Sequence, residues 1–119
     1  MSATLELEDN RLCILCVNGV LKKSELEYIQ TDFVRRILPD GPIKLLILLE
    51  DFNGWERGPD WGDTEFFFTY RDELEKVAIV GDPRWEAQTL AFTGAGLRKG
   101  PVKFFAEAGE SAARAWIAE

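Results

Sequence analysis

Hydrophobic residues in this chain follow two rhythms, a period of two near the start and a helical period soon after. From Thr4 to Glu8 polar and apolar residues alternate, with Leu5 and Leu7 on one face. Asp9-Asn10 gives a turn signal and Leu12 to Val17 resumes the apolar run, so the pattern predicts a β-hairpin that Gly19 closes. Ser24 followed by Glu27 fits a capping box opening a helix. Leu26, Ile29, Phe33 and Ile37 then recur at helical spacing until Pro39-Asp40-Gly41-Pro42 stops them. Ile43 to Leu49 is almost wholly apolar without alternation, as expected of a strand covered on both faces. Asp51 to Gly58 reads as a loop, and a second helix is expected from Pro59 or Asp60 to about Leu74. Lys76 to Val80 is another buried strand. Asp82-Pro83 opens a third helix, with Asp at the N-cap and Pro in the first turn. Pro101 to Phe105 is a last strand, and Glu110 to Ala118 a final helix anchored by Trp116 and Ile117.

The order β-β-α-β-α-β-α-β-α predicts an α/β fold. Its sheet is mostly parallel, with an antiparallel N-terminal hairpin and about four flanking helices. No repeat or linker interrupts the pattern, so residues 1–119 are expected to form one domain.

Composition narrows the chemistry. The net charge of −7 disfavours phosphate backbones and anionic lipid, so no nucleic acid and at most transient membrane association are expected. Histidine is absent, which removes His-based triads and most catalytic zinc sites. Neither a long apolar span nor a basic start followed by an apolar stretch is visible, and a cytoplasmic protein is expected. Cys13 and Cys16 form a C-x-x-C inside an apolar β-type run. Residues three apart on a strand point to opposite faces, about 10 Å apart, so buried structural thiols are expected in preference to a redox or metal pair.

Aromatic residues are the more informative feature. At 100° per residue, Phe67, Tyr70 and Leu74 share one face of the expected second helix, while Trp61 and Phe68 point well away from it. A helix on a sheet needs one apolar stripe, and this one has apolar bulk around more than half its circumference. Two readings stand. The surplus is core, covered by the Phe52–Trp55 loop and the third helix; or Trp61 and Phe68, with Trp55 and Trp85, line a cleft or surface for an apolar ligand or another subunit. The loop from Phe52 to Pro59 follows the carboxyl end of a central parallel strand, where open α/β sheets bind ligands, and is read either as a lid or as a simple connection. Asp60 and Asp63 come together three residues apart on a helix, yet in a first turn they fit capping and the helix dipole better than acid–base work. Gly94 to Gly100 lacks the ending of a phosphate-binding loop and precedes a strand.

These strings fall in a recognisable order. Glu50-Asp51-Phe52-Asn53-Gly54-Trp55 precedes Trp61-Gly62-Asp63 and Phe66-Phe67-Phe68. Then come Val77-Ala78-Ile79-Val80-Gly81-Asp82, Trp85, Ala91-Phe92-Thr93 and Ala112 to Trp116. Together they resemble the SpoIIAA-like family, small bacterial proteins related to the STAS fold of anti-sigma-factor antagonists. The resemblance covers almost the whole chain and implies a sheet flanked by helices, without an established reaction or cofactor. True antagonists carry a phosphorylatable Ser or Thr at the start of the helix after the central strand. Here Glu50 to Asp63 contains none, Thr64 is the nearest hydroxyl, and Asp60 and Asp63 would repel a phosphate. The expected function is therefore a non-catalytic binding or regulatory module. Its candidate ligand-binding residues are Trp55, Trp61, Phe67, Phe68 and Trp85, with Phe52, Asp60 and Asp63 at the loop and helix start. A homodimer or protein-partner surface using the same aromatics is the alternative. An enzyme would have to work with carboxylates such as Asp51, Glu56, Asp60 and Asp63.

Overall fold

The computed structural model describes residues 3–58, 72–93 and 100–119. Five strands form one sheet in sequence order: β1 (Ala3–Glu8), β2 (Leu12–Leu21), β3 (Ile43–Trp55), β4 (Leu74–Gly81) and β5 (Val102–Ala106). β1 pairs antiparallel with β2, and every other pairing is parallel. Three α-helices occur among the described residues: α1 (Lys23–Asp32), α2 (Glu86–Phe92) and α3 (Glu110–Ala118).

Right-handed crossovers between parallel strands that advance in one direction put their helices on one face of the sheet. Accordingly, α1, between β2 and β3, and α2, between β4 and β5, cover the face carrying Cys13, Leu15, Leu45, Ile47, Val77 and Ile79. α3 follows the last strand and lies on the other face, where Ala113 and Ile117 pack against Ile14, Leu46, Leu48, Ala78 and Val80. Both faces of β3 are thus covered, which accounts for its unbroken apolar run from Leu45 to Leu49. Among the described residues no helix is long and apolar enough to cross a membrane.

Several details correct the sequence reading. Three helices are described where four were expected. The expected helix from Pro59 or Asp60 lies largely outside the described residues, and its proposed end, Leu74, is already the first residue of β4. Gly19 does not close β2, which continues to Leu21 with Gly19 at a register shift and φ +68°. Asp51 to Trp55 is not loop but the last part of β3. The Ser24–Glu27 capping box is not made either, because α1 begins one residue earlier and Ser24 falls inside its first turn. A distant carboxylate serves instead: the Lys23 N–H donates to Glu56 Oε1 at 3.2 Å, and the Glu56 N–H donates to Leu21 O at 2.9 Å. At its other end α1 runs into a π-helical turn, Phe33–Ile37, and a 3-10 turn, Leu38–Asp40. Arg11, held at φ 60°, donates to the carbonyls of Ile37 at 2.8 Å and Gly41 at 2.6 Å, fastening the hairpin to that helix end.

The two cysteines behave as period two requires. Cys13 is fully buried under α1 and α2, whereas Cys16 packs on the α3 side; both are free thiols. Burial pushes the Cys13 thiol from an ordinary 9.0 up to about 12, and burial, then Glu50 and Glu6, raises Cys16 as well. Between these values the unfolded chain has lost the Cys13 proton while the folded chain keeps it. Stability contributed by the protonated thiol is therefore whole below pH 9.0 and falls as pH rises towards about 12. Urea unfolding at pH 8 and at pH 10.5 is expected to show a steeper loss for the native chain than for Cys13→Ala. Equal slopes for the two chains would contradict a buried, proton-retaining thiol.

Candidate functional site

Two irregularities in β3 shape its carboxyl end. Pairing with β2 advances from Asn18↔Glu50 to Gly19↔Phe52, and from Gly19↔Phe52 to Leu21↔Trp55. Each step places one extra residue on β3 relative to β2. The positive-φ residues Asp51, at 49°, and Gly54, at 95°, lie within these steps. Asp tolerates the left-handed region better than most residues, and glycine adopts it without a Cβ penalty. In a regular strand Phe52 and Trp55, three apart, would face opposite sides. The register shifts bring both onto the face that α1 and α2 cover.

Four rings meet there. Phe52 lies edge-on to Trp55 at 5.2 Å and to Trp85 at 5.0 Å; Trp55 lies 6.0 Å from Trp85 and 5.7 Å from Phe92. These separations and tilts are those favoured by the ring quadrupoles. Trp85 arrives on a 3-10 turn, Pro83–Trp85, whose start is capped by Asp82 accepting the Arg84 N–H at 3.0 Å. Its indole Nε1–H donates to Phe52 O at 3.1 Å. The ring lies so close to Gly54 that a Cβ there would stand 3.1 Å from Trp85 Cη2. The Arg84 guanidinium lies 5.1 Å from the Trp85 ring centroid and 3.7 Å from Asp82 Oδ2, on the solvent side.

Beneath the rings the packing is incomplete. A cavity of about 40 Å³ is walled by Leu15, Leu21, Leu26, Phe52, Trp55, Phe92 and neighbouring aliphatic residues, with Thr89 and Thr93. None of its wall residues carries a formal charge. Both threonine hydroxyls turn back on α2, Thr89 Oγ1 donating to Trp85 O at 2.8 Å and Thr93 Oγ1 to Thr89 O at 2.9 Å. Phe52 is buried, while Trp55, Trp85 and Phe92 are half-buried and leave the cavity near the surface. The Trp55 Nε1–H is screened from solvent and finds no acceptor among the described residues. Glu56, next along the chain, links this corner to the first turn of α1.

Of the residues expected at a site, Phe52, Trp55 and Trp85 come together. Trp61, Phe67, Phe68, Asp60 and Asp63 lie outside the described residues. The lid reading of Phe52 to Pro59 is corrected for its first part, since Phe52 to Trp55 is paired strand. Sequence reasoning missed Phe92 and Thr89 as wall residues. Their signal was present: Trp85, Thr89 and Phe92 recur at helical spacing, which puts them on one face.

A family model described as SpoIIAA-like matches residues 12–118. No curated protein matches the chain significantly. Among solved structures, an uncharacterized protein of the DUF3478 family with a SpoIIAA-like fold, from Shewanella loihica PV-4, superposes with a TM-score of 0.70 at 20% identity. The alignment covers 97% of this chain and 91% of that one.

Proposed function

The chain belongs to the SpoIIAA-like family, and on that premise we propose that it is a non-catalytic, STAS-like binding or regulatory module taking a small apolar ligand at the Phe52–Trp55–Trp85–Phe92 corner. The observation that carries this reading is the incompletely filled hollow behind half-buried rings at the carboxyl end of the middle strand. Ligands of open α/β sheets gather at such strand ends. The hollow itself has room for only a few atoms, so a ligand of useful size enters as Trp55 and Phe92 turn aside. Covering a few hundred Å² of apolar surface, at about 25 cal/mol per Å², approaches the roughly 8 kcal/mol of a micromolar complex before ordering costs. Binding of this kind needs orientation and burial but no catalytic group.

Native mass spectrometry of gently purified protein, with thermal unfolding across a panel of small apolar compounds, tests the reading. A co-purifying molecule, or a midpoint raised by several degrees and lost in Trp55→Ala, is the expected result. A clean mass and an unmoved midpoint across the panel would overturn it. A concentration-dependent dimer broken by Trp55→Ala, without any ligand effect, would replace it with a protein interface on the same rings.

A further inference from the structure

Resting on the apolar-ligand reading above, we propose that the occupant of this corner is a neutral molecule bearing a hydrogen-bond acceptor, a carbonyl or ether oxygen, which receives the Trp55 indole N–H. The corner's polar atoms divide cleanly. The Trp85 Nε1–H is taken by Phe52 O, and the Thr89 and Thr93 hydroxyls donate to backbone carbonyls of their own helix. Only the Trp55 Nε1–H is buried without an acceptor among the described residues. Buried N–H groups in folded proteins are nearly always paired, and one left over beside a cavity marks what its occupant has to supply.

An indole nitrogen donates and cannot accept, so the occupant must accept. The wall offers no acidic group to hold a cation and no basic group to hold an anion. Arg84, the nearby guanidinium, is 62% exposed and engaged with Asp82 on the solvent side. A neutral acceptor on an apolar body remains. Water fits the volume poorly as a permanent resident, because an ordered water makes 2–4 hydrogen bonds and the wall beyond Trp55 has only two threonine oxygens to offer.

Cyclopentanone and cyclopentane share a ring and differ by the oxygen. Their dissociation constants for the wild-type chain and for Trp55→Phe, measured by NMR titration, form a cycle in which ring bulk is kept and the donor removed. Trp55→Phe is expected to weaken cyclopentanone about fivefold to tenfold, the worth of one hydrogen bond, and to leave cyclopentane within about twofold. In the wild-type chain the Trp55 indole N–H resonance is expected to move downfield with cyclopentanone and hold its place with cyclopentane, a readout that does not depend on the variant folding. If both probes bind but the variant weakens them equally or not at all, and the resonance shows no preference, the acceptor proposal is overturned while the apolar site stands. If neither probe binds the wild-type chain, the apolar-site reading falls and takes the acceptor with it.

Discussion

Phe52→Ala is expected to remove about 3–5 kcal/mol of folding stability, a large share of the roughly 5–15 kcal/mol that holds a domain together. Phe52 is 5% exposed and is the ring that Trp55 and Trp85 both touch, at 5.2 and 5.0 Å. Truncation would join its vacated volume to the cavity of about 40 Å³ already beside it. The neighbours cannot readily collapse into that space, since Trp85 is tied to the backbone of Phe52 and seated on Gly54. Phe52→Leu retains most of the apolar bulk and is expected to lose distinctly less. Urea unfolding followed by far-ultraviolet circular dichroism measures both. A loss below about 1 kcal/mol for Phe52→Ala would mean that the four rings are a loose surface group rather than part of the core.

The second large effect belongs to the opposite layer. Leu46→Ala is expected to cost about 2–5 kcal/mol. Leu46 is fully buried between the sheet and α3, among Ile14, Leu48, Ala78, Val80, Ala113 and Ile117. That layer is thin: one nine-residue helix with two buried residues, Ala113 and Ile117, covers it. Little else can move in to fill a void. The same unfolding experiment applies, with the fluorescence of Trp55 and Trp85 in the folded state expected to be unchanged because they sit on the other face. A shifted folded-state spectrum accompanied by a small stability loss would show that the sheet transmits the change instead of separating the layers.

How far these features could be read from the chain follows from period and locality. Ile43 to Leu49 announced a doubly covered strand because nothing in it departs from an apolar run. The separate faces of Cys13 and Cys16 followed from the same period of two. β3 was lost beyond Leu49, because Glu50, Asp51 and Gly54 are poor strand residues and the extra residues destroy alternation. The rings at 52 and 55 could be suspected of chemistry from their type and position, but their meeting depends on a register that no local window contains. The start of α1 failed for a related reason. Ser24 and Glu27 satisfy a local rule, while the carboxylate that caps the helix comes from Glu56, 33 residues away. The expected charge-free character of the binding corner was legible in outline, since Phe52, Trp55 and Trp85 had been singled out. Phe92 entered only when α2 placed it over β3.

The two register shifts in β3 have a consequence for how sequences of this kind can change. Between Leu49 and Glu56 the number of residues, more than their identity, decides which side of the sheet the aromatic side chains occupy. A homologous chain shortened by one residue there could keep every tryptophan and still lose the enclosure, because parity would carry one ring to the far side. In comparing relatives, gaps in this short interval therefore bear more on shared ligand binding than substitutions do.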